Sequence, residues 1–574
     1  MMYPDVWGHG SLFVFSGLDG KNTYTDSLAG TLCADRLGIL FHLKKRVELS
    51  LALKGVCDIS YKIVASDIIM GEFTARGGGK APFIIAFCSQ DTVAGLTGEC
   101  ARPVIRCDDV PAAGSGDGVA IACLGGEYAA LAVENGADGV RFAFSFSRES
   151  ENDAAAKAKE ALKLNIRLVA KERLAFFEKL PHTSADQNVE KTLGKCFSVM
   201  KSQVYSPEGL FQTRWTTPDR LPHRRLWLWD SVFHSFGNRY ISADLAYESI
   251  RAVLDTQAED GFIPHMAAPP AERSDITQPP VLAWGLYDLY SYSGEKDYLT
   301  ANYEKLKKYL CWNIQNRDSD RNFLYEWMIE ENSVNCRCGE CGMDNSPRFD
   351  NVVKMDCIDF SCFMANEARC MSKIADALDM PDEKDYWTGL YGQIKQAVND
   401  SLWDEADGFY YDRVLADGRL KKVKAVSSFL PLFAGICDKR QAKRLVRHLS
   451  DSRSFYTKLP VPSISADDPA FGSDMWRGPV WINYNYMIIR GLREYGYNEL
   501  AEDIRSRTVE AIAFWYKQEG TVYEFYDSTD RIPPKKLNRK GGSIEPYDFG
   551  IRCQSIRDYG WSCALFAALL LEER

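Results

Sequence analysis

Residues 381–403 read PDEKDYWTGLYGQIKQAVNDSLW, and within them Trp387, Leu390, Ile394, Val398 and Leu402 follow one another at steps of three and four. That spacing puts all five on one face of an α-helix and leaves the other face wet. Leu500, Ile504, Thr508, Ile512 and Trp515 repeat the pattern. Working outward, segments of this period lie near 187–203, 229–239, 242–257, 277–293, 295–314, 357–378, 381–403, 426–436, 439–450, 479–495, 497–517 and 560–573. They tend to alternate between apolar and amphipathic, with short links. Such an order predicts six helical hairpins closed into an (α/α)6 toroid, inner helices apolar all round and outer helices with one wet face. No self-similarity at a period of about 20–50 residues is visible, which argues against a solenoid.

Upstream, the period changes. Val47, Leu49, Leu51 and Leu53 alternate with Glu48, Ser50, Ala52 and Lys54, and Val140, Phe142, Phe144 and Phe146 alternate with Arg141, Ala143, Ser145 and Ser147. Period two over such runs predicts half-buried strands. Gly-rich breaks separate them, among them Asn135-Gly136 and Asp138-Gly139. Residues 1–150 are therefore expected to form an antiparallel β-sandwich. Residues 151–185, rich in Ala, Lys, Glu and Leu, read as a helical linker with Asn152 or Asp153 as its N-cap and Pro181 as its stop. Residues 186–574 are expected to form the toroid.

Composition limits what such a chain can do. At 46% apolar and 26% charged residues, the 574-residue chain is globular. Its net charge of −10 and lack of a long basic run argue against phosphate backbones and anionic lipid as partners. No stretch approaches ~18 uninterrupted apolar residues, so no membrane span is expected. The first residues show no basic segment leading into an apolar one, so no signal peptide is expected. The 17 Cys are scattered, many in apolar surroundings, as suits reduced thiols in a cytoplasm. Twelve of the 13 Trp follow residue 200.

Six segments concentrate the chemistry: RRLWLWDSVFHSFG at 224–237, TQPPVLAWG at 277–285, GMDNSPRF at 342–349, MWRGPVWINYNY at 475–486, YEFYD at 523–527 and YGWSCALF at 559–566. Each has an ordinary reading on its own. Asp230 would serve as a helix cap, DNSP as a turn, and Trp476 and Trp481 as core. Together they lie in loops or helix starts of one toroid, where the ends of inner helices converge. Aromatic faces stack on a pyranose, while carboxylates, amides and Arg bind its hydroxyls. Glycoside hydrolysis adds a need for two carboxyl groups across the scissile bond. Asp344 and Glu524 are the candidates.

In this order the segments resemble glycoside hydrolase family 63, related to the trehalases of family 37, over roughly residues 190–574. The resemblance implies an inverting α-glycosidase with Asp344 as general acid and Glu524 as general base. It places Trp229 and Asp230 in the subsite of the non-reducing sugar, and Trp476, Arg477, Gly478, Trp481 and Asn483 on another wall. Arg348, Gln278 and Trp561 also match pocket positions, and an upstream Arg is expected among Arg220, Arg224 and Arg225, with Arg225 nearest the Trp-Asp pair. Two departures stand out. A segment at 528–558 containing PPKKLNRKGG is longer than the pattern requires and is expected to reshape the leaving-group side; it also holds Glu545, a competitor for the base. The run Cys336, Cys338, Cys341 precedes Asp344.

The expected function is exo-acting hydrolysis of a small α-linked saccharide or glycoside, first an α-glucoside. Trehalase and mannosyl- or glucosylglycerate hydrolase are alternatives, and a sugar-binding protein without catalysis is an alternative of another class. Asp344 must be protonated at working pH, while Glu524 stays ionised and activates water with a separation of about 6.5–9.5 Å between the carboxyl groups. No cofactor or catalytic metal is required, and the seven His form no HExxH-type pair. Asp318, Asp320 and Asn322 match the first half of a calcium loop, which leaves room for a structural calcium, although the Gly and Glu of the second half are missing. The three Cys, with Cys357 or His265, would suit zinc in a regulatory protein, although their spacing is not that of a standard finger.

Overall fold

Between residues 12 and 147 the period-two pattern becomes strands β1 (Leu12–Val14), β2 (Ala29–Leu32), β3 (Gly38–His42), β4 (Arg46–Leu53), β5 (Val56–Val64), β6 (Ile68–Ala75), β7 (Lys80–Ser89), β8 (Thr92–Thr97), β9 (Ala101–Cys107), β10 (Ala113–Gly114), β11 (Val119–Cys123), β12 (Tyr128–Gly136) and β13 (Gly139–Ser147). The structure is a computed structural model that describes residues 3–107, 113–114, 118–183, 186–330, 336–540 and 554–572. Its contacts divide the chain into two units. One comprises Met1–Glu208, Asp219–Arg224 and Ala513–Val522; the other comprises Gly209–Pro218, Arg225–Ile512 and Tyr523–Arg574.

In the first unit the strands form two antiparallel sheets, ordered β1-β2-β3-β4-β9 and β10-β11-β12-β13-β8-β7-β6-β5. One apolar core joins them: Phe41 of the smaller sheet stacks on Phe144 of the larger at 4.6 Å. Strand β13 departs from the half-buried expectation. Phe142, Phe144 and Phe146 face that core, but Ala143, Ser145 and Ser147 are buried as well. The cause is helix α1 (Glu151–Ala161), whose Ala154 and Ala158 pack on Ala130 and Ala132 of β12. Its N-cap is Ser150, which accepts from the Asp153 amide, so neither Asn152 nor Asp153 has that role. The expected linker is two helices, because Asn165 caps a second, α2 (Ile166–Glu178). Helix α3 (Gln187–Ser202), grouped by its period with the later helices, belongs to this unit. Its Lys201 lies 2.7 Å from Asp67 and 2.9 Å from Asp19, and Arg173 of α2 lies 3.0 Å from Asp19. Buried charges persist when paired in this way.

The second unit contains α4 (Leu228–Asn238), α5 (Ala243–Leu254), α6 (Leu282–Ser293), α7 (Lys296–Asn316), α8 (Ile358–Ala377), α9 (Pro381–Ser401), α10 (Leu430–Phe433), α11 (Lys439–Leu449), α12 (Ile482–Glu494) and α14 (Gly560–Leu571), while α13 (Asn498–Glu519) begins in it. The expected helices near 277 and 479 start later, at Leu282 and Ile482, because Pro279-Pro280 and Pro479 hold the preceding residues extended. The segment near 426–436 is a 3₁₀ turn, Val426–Phe429, followed by the single-turn α10. Helix α4 packs on α6, α6 on α8, α8 on α10, α10 on α12, α12 on α14, and α14 again on α4. Glycine permits two of the close approaches. A Cβ on Gly237 would lie 2.5 Å from the Ala564 backbone, and one on Gly285 would lie 2.6 Å from Val232. Helix α4 is buried throughout, whereas α9 buries only Trp387, Leu390, Ile394 and Val398. Burial of such aliphatic side chains stabilises by roughly 1.5–3 kcal/mol each.

Candidate active site

Asp344 sits in a loop that its own backbone holds closed. Its carbonyl accepts from the amides of Arg337 at 2.7 Å and Cys338 at 3.3 Å. Gly342, at φ +75°, must be glycine, since a Cβ there would lie 2.4 Å from the Trp229 ring. The next residue, Asn345, ties this loop to the WRGP block: its Oδ1 accepts from the Trp476 amide at 3.0 Å, and its carbonyl accepts from Arg477 Nε at 2.8 Å. Arg477 also holds both oxygens of Asp350 at 2.8 Å. Gly478, at φ +126°, lets Gly472 approach, because a Cβ would lie 2.1 Å from the Gly472 carbonyl oxygen. Arg477 and Gly478 thus brace the loops that carry Asn345, Asp350 and Gly472.

Arg348, which the resemblance assigned to the pocket, is engaged elsewhere. Its guanidinium is bound by Asp412 at 2.7 and 2.8 Å and by Asp359 at 2.8 Å, fully buried. Burial works against that charge, but Asp359 and Asp412 hold it well above its ordinary range. The cluster of Cys357, Asp359 and Asp412, whose ligand-type atoms lie within 4.8 Å of one another, is therefore filled by a guanidinium.

Glu524 lies on an extended segment wedged between two others. Its amide donates to the Ile556 carbonyl at 2.9 Å, and two residues on Tyr526 exchanges amide bonds with Val480 at 3.1 and 2.8 Å. This pairing joins YEFYD to the WRGPVW block and to the approach to α14.

The tryptophans gather where helices begin. Trp229 and Asp230 lie in the first turn of α4, Trp481 caps α12, and Trp561 opens α14. Trp229 meets Trp561 edge-on at 5.3 Å, Trp561 meets Trp481 at 5.7 Å, and Trp481 stacks on Trp476 at 3.9 Å with 3° between planes. Gln278, just before α6, accepts from the Trp229 amide at 3.2 Å. Tyr559, the first residue of the YGWSCALF segment but not selected as a site residue, donates to Asp230 at 3.3 Å. The starts of α4, α6, α12 and α14 are thus adjacent, and helix N-termini present unpaired N–H groups and positive potential. Among the described residues, both amide atoms of the buried Asn483 side chain and the indole N–H groups of Trp476 and Trp561 have no hydrogen-bond partner. Trp284, by contrast, packs on Phe236 and Phe433 and lines a separate cavity of about 270 Å³ with Asp288, Arg369, Lys373 and Arg490.

The basic segment that departs from the family pattern supplies two residues that sequence reasoning did not select. Arg539 binds Glu524 through both oxygens, Nε at 2.9 Å and Nη2 at 3.2 Å. Lys540 pairs with Asp344. Consecutive Cα atoms lie only about 3.8 Å apart, so the two candidate carboxylates face the same short stretch of chain. Burial acts to depress the Arg539 guanidinium, but Glu524 and then Asp344 raise it above its ordinary value. Two neutral groups complete the surroundings. Burial depresses His265 to about 4, against an opposing effect of Asp344. Burial pushes the Cys336 thiol up to about 12, with Asp344 adding to the rise and Lys540 opposing it.

The remaining candidates resolve as follows. Arg220 and Arg224 belong to the first unit, where they bond Ser202 and Tyr24, and Arg225 pairs with Glu272 at 2.9 Å in the second. Cys338 donates to the Met328 carbonyl and Cys341 to the Cys338 carbonyl, and among the described residues the Cys336 run forms no metal-ligating group. Asp318 caps the amides of Asn322 and Phe323 at 2.9 and 3.1 Å. Asp320, Glu326 and Asp356 bring carboxylate oxygens within 4.8 Å of one another, with Lys354 on Glu326 and Arg413 on Asp356. Glu545 lies outside the described residues.

Residues 222–562 match the family model described as the mannosylglycerate hydrolase MGH1-like glycoside hydrolase domain. A Borreliella burgdorferi protein is 28% identical over 253 residues, which are 43% of this chain and half of that protein's length. A mannosylglycerate hydrolase of Thermus thermophilus is 27% identical over 383 residues, covering 52% of this chain and 88% of the relative. Among solved structures, a family 63 mannosylglycerate hydrolase from Thermus thermophilus in complex with Tris superposes with a TM-score of 0.54 at 22% identity, over 66% of this chain and 99% of the other.

Proposed function

The chain belongs to glycoside hydrolase family 63, with a domain of the mannosylglycerate hydrolase MGH1-like kind, and on that premise we propose that it is an inverting, exo-acting α-glycosidase of short glycosides. The observation that carries this reading is the approach of Asp344 and Glu524, from separate loops, to consecutive residues of one segment. The cyclic packing of α4, α6, α8, α10, α12 and α14 supports an (α/α)6 toroid, with the starts of its inner helices forming the floor of the site.

In this reading Asp344 protonates the glycosidic oxygen as the bond breaks. Glu524, oriented by the two hydrogen bonds from Arg539, takes a proton from a water that attacks the opposite face of the anomeric carbon. An α-linked substrate then yields a β-sugar. Trp229, Asp230, Gln278, Asn483, Trp476, Trp481 and Trp561 receive the non-reducing sugar, with Arg225 near the rim. Arg348, Arg477 and Gly478 act by holding the loops. The proton inventory closes on two carboxyl groups and water, so no cofactor takes part in these steps. Among the described residues no disulfide joins any of the sixteen cysteines, which supports a reducing compartment, the cytoplasm. No described helix is long and apolar enough to cross a membrane.

The test is proton NMR of the first-formed sugar from an array of α-linked glucosides, mannosides and galactosides. A β-anomer is expected; an α-anomer overturns the assignment of Glu524 as base. The sequence favours a glucoside, while the named activity of the Thermus relative favours a glycosylglycerate, and the residues on the leaving-group side discriminate between them.

A further inference from the structure

A general acid must carry a proton, yet Asp344 carries an ammonium. The ammonium sits on Oδ2 of that carboxyl group, the place a transferable proton would have to occupy. Lys540 must therefore leave Asp344 before the glycosidic bond breaks. Its backbone is not free to move with it. The Lys540 amide donates to Asp474 Oδ1 at 3.0 Å, and two residues earlier the Asn538 carbonyl accepts from the Met475 amide at 3.1 Å and the Asn538 amide donates to the Ser473 carbonyl at 3.0 Å. The residue is held at φ +59°, in the left-handed region that non-glycine residues rarely adopt. The stem is thus anchored to the loop that carries Trp476, and only the four-carbon side chain, 28% exposed, can swing.

We propose that Lys540 is a specificity-determining residue that reads a carboxylate on the leaving group of the substrate. In the free protein its ammonium is parked on Asp344. An anionic aglycone, of which a 2-O-glycosyl glycerate is the type, draws it away. Asp344, relieved of its counter-ion, takes a proton from solvent and delivers it to the glycosidic oxygen. The charges balance: a carboxylate enters, Lys540 changes partner, and one proton replaces the ammonium on Asp344. Arg539 does not compete for the ligand, since both oxygens of Glu524 hold it and its side chain is 5% exposed. His265 and Cys336, neighbours of Asp344, are neutral at pH 7, so they neither hold the ammonium nor repel the incoming anion. A neutral aglycone leaves Lys540 where it is and is hydrolysed slowly.

This inference rests on the α-glycosidase reading and deepens it. The experiment compares kcat/KM for α-glucosyl- and α-mannosyl-D-glycerate with the corresponding α-glycosylglycerols, in which the carboxylate is replaced by a hydroxymethyl group. The wild-type protein is expected to favour the glycerates by about 10- to 100-fold, the value of one charge-assisted contact. Lys540→Met should bring the ratio to within about threefold of unity, raising turnover of the neutral glycoside while lowering that of the anionic one. Lys540→Arg should retain most of the preference. Competitive inhibition by free D-glycerate, read on a neutral α-glucoside, should weaken about tenfold in Lys540→Met. A wild-type ratio near one, a ratio unchanged by Lys540→Met, or equal losses on both substrates overturns the proposal for Lys540 while leaving the glycosidase reading intact. Failure of the wild-type protein to hydrolyse any of the four glycosides overturns the proposal for Lys540, and failure on the whole array of α-linked glucosides, mannosides and galactosides overturns the glycosidase reading as well. If Lys540→Met does not fold, the wild-type ratio and the Lys540→Arg ratio still decide.

Discussion

Glu524 with Arg539 and Asp344 with Lys540 are two ion pairs made by adjacent residues of one segment, and they differ in almost every physical respect. The first is dry, with side chains 2% and 5% exposed, and is joined by two hydrogen bonds of a planar fork. The second is half-wet, at 14% and 28%, and is made by a flexible point charge. A buried bidentate pair is hard to open, because separation strands two charges away from water. A partly exposed lysine pair opens readily, because water takes over the ammonium. The difference suits the two proposed roles: a general base has to accept a proton without leaving its place, whereas a general acid has to be freed to carry one.

The most severe way to break this comparison is to remove the carboxylates. Asp344→Asn and Glu524→Gln should each lower kcat on an α-glycoside by about 10³-fold or more while the thermal unfolding midpoint stays near wild type. Near-normal turnover in either variant removes that residue from the chemistry. Arg539→Met comes next. It leaves Glu524 buried without its partner and should destabilise the fold by about 3–5 kcal/mol in urea titration. A loss below about 1 kcal/mol would show that the two pairs are equally soft. Gly342→Ala tests the wall between them. Left-handed strain and the approach to the Trp229 ring should lower stability by about 1–3 kcal/mol and raise KM several-fold; unchanged kinetics would mean that Trp229 does not shape the sugar site.

The mildest test concerns His265, on the Asp344 side. Its folded-state value is about 4 against about 6.5 unfolded, so between these values the unfolded chain binds the extra proton. Its contribution therefore falls as pH drops below about 6.5 and reaches a deficit of about 3 kcal/mol near pH 4. Urea unfolding at pH 7 and pH 4.5 should show a smaller acid loss for His265→Asn than for wild type. Equal losses would mean that His265 titrates normally.

Much of the helical unit was legible in advance because period and burial share a cause. The stripe of Trp387, Leu390, Ile394 and Val398 is buried in α9 as read, and α14, apolar all round, is buried along nearly its whole length. The misreadings have physical reasons. Prolines delayed α6 and α12; α1 covered the second face of β13, so its alternation did not mean exposure. At the site, the Trp-Asp and DNS motifs stood out because aromatic and carboxylate residues are costly to cluster without use. That Arg348 is bound by Asp359 and Asp412 was not legible, because such a guanidinium looks in sequence like any other Arg. The sequence by itself determined the two classes of segment, the order of the motifs and the residue types they bring, since periodicity and side-chain chemistry are local. Only the tertiary structure decided which charges meet. Arg539 lies 15 positions from Glu524, and Lys540 lies 196 from Asp344. No local rule connects residues so far apart; the pairing follows from loops that backbone hydrogen bonds hold in place.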